Sequence, residues 1–455
     1  MRKTANKLVI GAIAIATLNF SCLPSTSIRS TGDAESSSSV TLTGSHNVTV
    51  SPANSWATTG PLHTARHGQT TILLNTGLVL TVGGHGGTLA SAELYNFTTE
   101  TWTTTGSLNF GRNYHTATLL QNGKVLVAAG QTAASPNGST SAELYDPTTG
   151  LWTNTGSLNA GRFWHTATLL PSGKVLVTGG TNGGGPMNSA EIYNPTNGTW
   201  TTVAATMSVT RDDHTATMLA NGKVLIAGGT GFSGVQNTAE LFDPAGNAGA
   251  GTFGNGTTFT GGRYSHTATV LANGKVLITG GYDNSSALSS SSIYDPTLNS
   301  WSGTGALNAG RYLQSSSLLD NGKVLVTGGN DGSSSLSSFE IFDPGTGTWT
   351  AVGNFPSNVA IEGHSTTILP NGQALLTGGW NRTTNYTASY LFTVYTPISL
   401  AATGGVTPYS YALASGTGLV DPNGYYWPLT AETAQVRVIS ADGSSYDTLN
   451  VVTNP

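Results

Sequence analysis

Histidine, arginine and glutamate recur in this chain at spacings that could support proton transfer or metal ligation. His115, His165, His214, His266 and His364 each lie three residues after Arg112, Arg162, Arg211, Arg263 and Ile361, within Gly-Arg-x-x-His-type segments. Glu93, Glu143, Glu191, Glu240 and Glu340 follow at a second fixed place. A histidine beside an arginine and an acid is a familiar setting for acid–base work. The repetition argues otherwise. Gln69 and Gln314 occupy the histidine slot in two copies, and Gln replaces His well as a hydrogen-bonding group but poorly as a transition-metal ligand. No His-Glu-x-x-His and no clustered Cys/His spacing is present. The histidines therefore read as structural hydrogen-bonding groups, and Arg66, Arg112, Arg162, Arg211, Arg263 and Arg311 as scaffold. The glutamates are their expected partners in buried Arg–Glu pairs. Copy five breaks the pairing, with Arg263 but Ser292, and copy seven has Ile361 and Ser389 in the two slots.

The departures from the repeat are the better functional candidates. Asp212, Asp213, Asp283, Asp331 and Glu362 are off-pattern acids, and Arg382 is the off-pattern cation. Tyr114, Phe163, Trp164, Tyr264 and Tyr312 fill the variable positions of Arg-x-x-His, while His85, Tyr282 and Trp380 directly follow a glycine pair. Acids beside flat aromatics suit a sugar, through ring stacking and hydroxyl hydrogen bonds, or a peptide. The alternative chemistry is acid–base catalysis on a sugar, with Glu362, Asp212 and Asp213 as the candidate carboxylates. No consecutive calcium-ligand loop is present, and no metal or cofactor is expected.

The elements that must position these residues are short strands. The second glycine of each pair falls at Gly84, Gly130, Gly180, Gly229, Gly281, Gly329 and Gly379, at spacings of 46, 50, 49, 52, 48 and 50. A period near 50 built of strand-length pieces is the mark of a repeat architecture. In the second copy, His115 to Leu120 alternates Thr and Leu, and Asn122-Gly123 is a two-residue hairpin signal. Val125 to Val127, Ala142 to Tyr145 and Trp152 to Thr155 supply three more strands, with Asp146-Pro147-Thr148-Thr149-Gly150 as a turn. Four antiparallel strands per copy pack radially as a β-propeller. The positions Trp56, Trp102, Trp152, Trp200, Phe253, Trp301 and Trp349 suit packing between blades. Because the seventh copy lacks a Trp strand, the strand at Trp56 is expected to complete it. That makes seven blades closed by an N-terminal strand. The Asn-Gly-Lys and Asp-Pro turns share one face, the bottom. The Arg-x-x-His segments and the loops after Gly-Gly share the other, the top, where specificity would reside.

The pattern resembles the Kelch repeat family, in the version of exported bacterial proteins and the galactose oxidase propeller. Gly179-Gly180, Glu191-Ile192-Tyr193-Asn194-Pro195 and Trp200, with their equivalents, carry the resemblance over about 56–395. It implies a fold more than a function, since such propellers serve as enzymes and as binding platforms. A copper-radical oxidase is not expected: that chemistry needs a Tyr–Cys crosslink and histidine ligands, and the propeller has no cysteine. Sialic-acid mutarotases of this type show that a metal-free sugar enzyme is the other option. The segment 397–455, with alternating Ala434 to Val438 and Thr448 to Val452, resembles a small bacterial immunoglobulin-like β-sandwich. The fold class is thus all-β, a seven-bladed propeller over 55–396 with an appended sandwich.

Only 9% of the 455 residues are charged, and 60 are glycine, against roughly 25% charged in an ordinary domain. This composition suits a turn-rich β-protein outside the cytoplasm. Residues 1–21 read as an export signal, with Arg2, Lys3 and Lys7 before an apolar run from Leu8 to Phe20. Cys22 follows at once and resembles a lipidation site, with Asn19 departing from the aliphatic residue usual there. Residues 22–54 read as a Ser/Thr-rich tether. Loss of the leader takes the net charge from −5 to −8, which argues against nucleic acid. The expectation is an exported, lipid-anchored monomer of the cell envelope, non-catalytic, binding a glycan or protein at its top face.

Overall fold

The computed structural model describes residues 55–254 and 256–393 with their side chains, together with short backbone strands near both termini. The export signal at 1–21 and Cys22 lie outside the described residues, as does most of the tether over 22–54.

Within 55–393 there are seven four-stranded antiparallel sheets. Blade two is representative: Thr116–Leu119, Val125–Ala128, Ala142–Asp146 and Leu151–Asn154 pair in sequence order. The second strand of every blade is wholly buried. Burial on both faces explains its continuous Val-Leu-Val composition. The third and fourth strands alternate, and Tyr145 pairs with Trp152 in register. Phe242 pairs with Phe253 in the same way, which fixes Phe253 as the fourth-strand aromatic of blade four.

The expected closure is present. Ser55–Thr58 lies antiparallel to Ser389–Thr393, with Trp56 opposite Phe392, so the chain's two approaches to the propeller meet in blade seven. Trp56 packs edge-on to Phe339 and Phe355, at 5.6 and 5.0 Å between ring centroids, tying this blade to blade six. Core clusters in general span two blades. One joins Leu120, Leu126 and Leu158 to Val175, Tyr193 and Trp200. Trp152 and Trp200 each donate an indole N–H to a glycine carbonyl of the preceding blade, Gly106 and Gly156, at 2.8 Å.

Two local features differ from a simple reading. The bottom hairpin at Asn122-Gly123 is a three-residue connection: Gly123 N–H donates to Leu120 C=O at 2.9 Å, and Gly123 has φ +82°. This is a turn closed by a left-handed glycine. Lys124 then bridges to Asp146 at 3.0 Å, as Lys223, Lys275 and Lys323 do to Asp243, Asp295 and Asp343. The bottom face is thus architectural. Over 397–455, what is described is backbone pairing, including Thr433–Ile439 with Tyr446–Thr453 and the latter with Val48–Val50. Assembly of these strands into an immunoglobulin-like sandwich lies outside the described residues.

The first residue of each glycine pair is left-handed, with φ +66° at Gly83 and +56° at Gly179. A Cβ on Gly83 would lie 2.6 Å from the Arg112 carbonyl of the next blade. Blade two nevertheless has Ala129 here, at φ +56°. Ala129→Gly should raise stability by about 1 kcal/mol, because the relief of a left-handed alanine exceeds glycine's entropic cost. Urea unfolding would check this; a less stable variant would mean that the Ala129 methyl is accommodated without strain.

Candidate functional site

The top face is assembled from two segments per blade. The residue just before each histidine or glutamine slot is Gly68, Tyr114, Trp164, Asp213, Ser265, Leu313 or Gly363, all with φ between +48° and +61°. Their backbones form a closed collar. Tyr114 N–H donates to Gly68 C=O, Trp164 to Tyr114, Asp213 to Trp164, Ser265 to Asp213, Leu313 to Ser265 and Gly363 to Leu313. Gly68 N–H completes the circle on Gly363 C=O, all at 3.0–3.4 Å. The second ring is made by the glycine pairs, where Gly84 N–H donates to Arg112 C=O of the next blade at 2.8 Å, and so on to Gly379 with Arg66 at 2.7 Å.

Beside the collar runs a belt of side chains. Its positions are paired by single bridges between the two top segments of a blade, His67 with His85, Asp212 with Thr230, Tyr264 with Tyr282 and Glu362 with Trp380. Ring contacts make the belt continuous over much of the circumference. Trp380 stacks on His67 at 5.2 Å, His67 on His85 at 4.8 Å, and His85 meets Tyr114 at 5.5 Å. Tyr114 meets Trp164 at 5.4 Å, and Trp164 meets Phe163 at 4.8 Å. A second arc, Tyr264–Tyr282–Tyr312, has spacings of 5.9 and 4.9 Å.

The carboxylates divide into three groups. Asp212 and Asp213 sit side by side on blade four, Asp212 only 5% exposed and its Oδ1 without a hydrogen-bond partner. Burial pushes the Asp212 carboxyl up to about 6, and burial reinforced by the Asp212 charge pushes Asp213 to about 7. Glu362, on blade seven, is buried and accepts from Asn330 Nδ2 and, at 2.8 Å, from Ser335 Oγ. It stands three blades from the aspartates, so the structure pairs Asp212 with Asp213 and leaves Glu362 apart. Asp283 and Asp331 are turn formers. Asp283 Oδ1 accepts from Ser285 N, Ser285 Oγ and Ser286 N, Asp331 Oδ1 from the matching atoms of Ser333 and Ser334, and Asn381 does the same with Thr383 and Thr384. Arg382 ties loop to loop, donating to Ser333 C=O at 2.7 Å.

The repeated residues are scaffold. Arg66, Arg112, Arg162, Arg211 and Arg311 are fully buried and pair with Glu93, Glu143, Glu191, Glu240 and Glu340 at 2.7–2.9 Å. Arg263, lacking a glutamate, donates to Gly280, Ser290 and Thr260 carbonyls, and burial lowers it to about 10. Each repeat histidine bridges blades through Nε2 to a threonine hydroxyl, as His115 does to Thr70 at 2.9 Å and His165 to Thr116 at 3.0 Å. Gln69 and Gln314 bridge instead to Thr377 and Thr279 carbonyls at 2.9 Å. Sequence reasoning missed His67, Asn113 and Asn330 in the belt, and Gly68, Ser265, Leu313 and Gly363 in the collar. Reading both x positions of all seven Arg-x-x-His segments, whatever their residue type, would have found all but Asn330.

Residues 114–305 match the KLHDC2/KLHL20/DRC7 Kelch-repeats domain family, and residues 311–356 match the Kelch motif. The propeller is of the Kelch type. No curated protein matches the chain. A solved structure of a novel fungal alcohol oxidase with catalytic diversity among the AA5 family, in complex with copper, shares the fold. Its TM-score is 0.62 at 15% identity, covering 88% of this chain and 100% of that one. Matches extend to 773 solved chains, so the Kelch propeller alone does not single out a function. Copper does not fit the residues here. Among the described residues no three His, Cys, Asp or Glu side chains are grouped to hold a metal ion. The repeat histidines are spent between blades, and the only cysteine is Cys22.

Two outcomes follow from the buried titratable groups. Burial lowers all five repeat histidines, His165, His266 and His364 to about 3. A base lowered on folding contributes stability fully above its unfolded value of 6.5 and loses it as pH falls toward the folded value. The raised Asp212 and Asp213 oppose this between 3.8 and 6–7, two groups against five, so the propeller should unfold in acid. His165→Gln, copying Gln69, should flatten the slope of unfolding free energy by about 1.4 kcal/mol per pH unit over pH 4–6. An unchanged slope in urea melts would show His165 to be protonated in the fold. At pH 8, Asp213→Asn should stabilise by about 1 kcal/mol, since an acid raised on folding costs stability above its folded value; a lowered melting temperature would mean the charged carboxylate has a partner.

Proposed function

We propose that this chain is a non-catalytic binding protein that takes a glycan on the top face of its Kelch propeller. The observation that carries this reading is the unbroken run of ring contacts from Trp380 through His67, His85, Tyr114 and Trp164 to Phe163. Sugar rings stack on such surfaces, and polar groups at the edges orient the hydroxyls. Asp213 and Tyr264, both partly exposed on the neighbouring blades, supply such groups here. Trp164, 38% exposed in the collar, is positioned for contact rather than for the core. Export and a lipid anchor at Cys22 would display this face at the cell envelope, with the chain acting as a monomer. A protein carrying a suitable surface is the other partner such a face would serve. The net charge of −5 offers nothing to nucleic acid.

A second reading, metal-free chemistry on a sugar, is favoured by one feature. Asp212 and Asp213 lie side by side under partial burial, where two carboxylates hold a proton near neutrality.

A glycan array probed with the full chain separates the two. Binding without turnover, reduced at least tenfold in Trp164→Ala or Trp380→Ala, supports the binding reading. Anomerisation or hydrolysis of a bound sugar that disappears in Asp213→Asn supports catalysis. No retained glycan removes the first reading.

A further inference from the structure

The repeat supplies its own control for a gap in blade four. In blades one, two, three and six the connection entering the blade is clamped by that blade's buried glutamate. Glu143 is typical: its Oε2 accepts from Asn109 N at 2.7 Å and Asn109 Nδ2 at 2.8 Å, and its Oε1 from Phe110 N at 3.2 Å. Asn159 and Ala160 repeat this on Glu191, and Asn308 and Ala309 on Glu340. In blade one His63 takes the place of the asparagine, with Nδ1 3.0 Å from Glu93 Oε2. The fourth strands of the same blades carry the buried indoles of Trp102, Trp152, Trp200 and Trp349.

Blade four departs at both positions. Ser208 stands where those blades carry Asn or His, and Phe253 where they carry Trp. Among the described residues of the connection, Ser208 alone donates to Glu240, from its backbone N–H to Oε2 at 2.8 Å. Arg211 Nε has no acceptor, whereas Arg66, Arg112, Arg162 and Arg311 each donate Nε–H to the carbonyl two residues earlier. The connection is thus held less closely here. The Glu240 side chain is 6% exposed, against 0–1% for Glu93, Glu143, Glu191 and Glu340, and Phe253 is partly exposed where the four indoles are buried. A shorter side chain and a smaller ring leave a cavity of about 320 Å³. Its walls include Thr206, Ser208, Thr238, Glu240, Phe253 and Thr258, and Thr206, Ser208 and Thr258 are solvent-exposed.

The chemistry of these walls narrows the occupant. Arg211 already neutralises Glu240 at 2.8 Å, so the cavity does not call for a cation. It offers a carboxylate with room for a further donor, hydroxyls that both donate and accept, and a partly exposed aromatic ring. A sugar complements all three, since its C–H face packs on an aromatic ring while its hydroxyls donate and accept at once. Ligand pockets begin near ~300 Å³, so this volume suits one sugar ring rather than a chain.

We propose that the cavity between Ser208, Glu240 and Phe253 is a second binding site, for a single neutral monosaccharide unit. A sugar hydroxyl donates to Glu240 Oε2 in place of the amide that the other blades supply, and the sugar ring packs on Phe253. The site shares no residue with the aromatic belt and does not rest on the reading of the top face.

Ligand-observed NMR and calorimetry on the full chain, with glucose, galactose, mannose and N-acetylglucosamine as probes, test it. At least one should bind with a Kd in the millimolar range. Ser208→Asn restores the clamp and Phe253→Trp refills the ring position. Each should weaken that sugar at least about tenfold, with a melting curve showing the variant folded. Both variants fill space that the other blades already fill, so a fold that rejects one leaves the other to decide. Trp164→Ala, in the collar, should leave the monosaccharide affinity unchanged. No saturation by any of the four sugars at about 50 mM, or undiminished affinity in a folded filling variant, overturns the inference. Loss of the monosaccharide in Trp164→Ala overturns it while sustaining the top-face reading. A monosaccharide that survives Trp164→Ala but not Ser208→Asn sustains it, whatever becomes of the array glycans.

Discussion

Everything on the functional face hangs from one closed circle of backbone hydrogen bonds. Seven amide groups, one per blade, each donate to the carbonyl of the preceding blade, and the last meets the first between Gly68 and Gly363. Each bond contributes about 1 kcal/mol net. Five of the seven residues are not glycine yet hold left-handed backbones, at about 1 kcal/mol or more each. The circle therefore does little for stability in itself and depends on the blades that hold it. Those blades are locked by the Arg–Glu pairs within them and by the His–Thr and Gly–Arg bonds between them. Replacing one partner of a buried Arg–Glu pair typically costs 3–5 kcal/mol, which explains why the arginines recur although none touches the mouth.

Most of the fold could be read from the sequence because the repeat states most contacts five to seven times over. The Gly-Gly pairs, the recurring Trp-type positions and the missing Trp strand of blade seven led directly to the ring and its closure. The division into constant scaffold and variable top also held for the arginines and histidines. It failed for Asp283 and Asp331. They looked off-pattern as acids, but Asp283-Asn-Ser-Ser, Asp331-Gly-Ser-Ser and Asn381-Arg-Thr-Thr are one turn written three times. Their shared feature is a side-chain oxygen that accepts from residues two and three ahead, and charge obscured it.

The belt was not legible because its contacts join segments remote in the chain. His67 Nδ1 lies 2.6 Å from Asn385 Oδ1 across the closing interface, and Trp380 stacks on His67 across the same interface. No local pattern encodes such neighbours; only ring closure creates them.

The collar also limits how this face can diversify. Its amides are all spent on the collar's own carbonyls, so the backbone there has no donor to offer a ligand, and recognition falls to side chains, five of them in the collar itself, mounted on a fixed frame. Those positions can change identity without disturbing a single main-chain bond, but only within a restricted alphabet. β-Branched residues are strongly disfavoured at positive φ, and the seven found are Gly, Tyr, Trp, Asp, Ser, Leu and Gly, with no Val, Ile or Thr among them. Selectivity in a propeller of this design is therefore combinatorial: a short word of letters unbranched at Cβ, written around a circle and revisable one letter at a time.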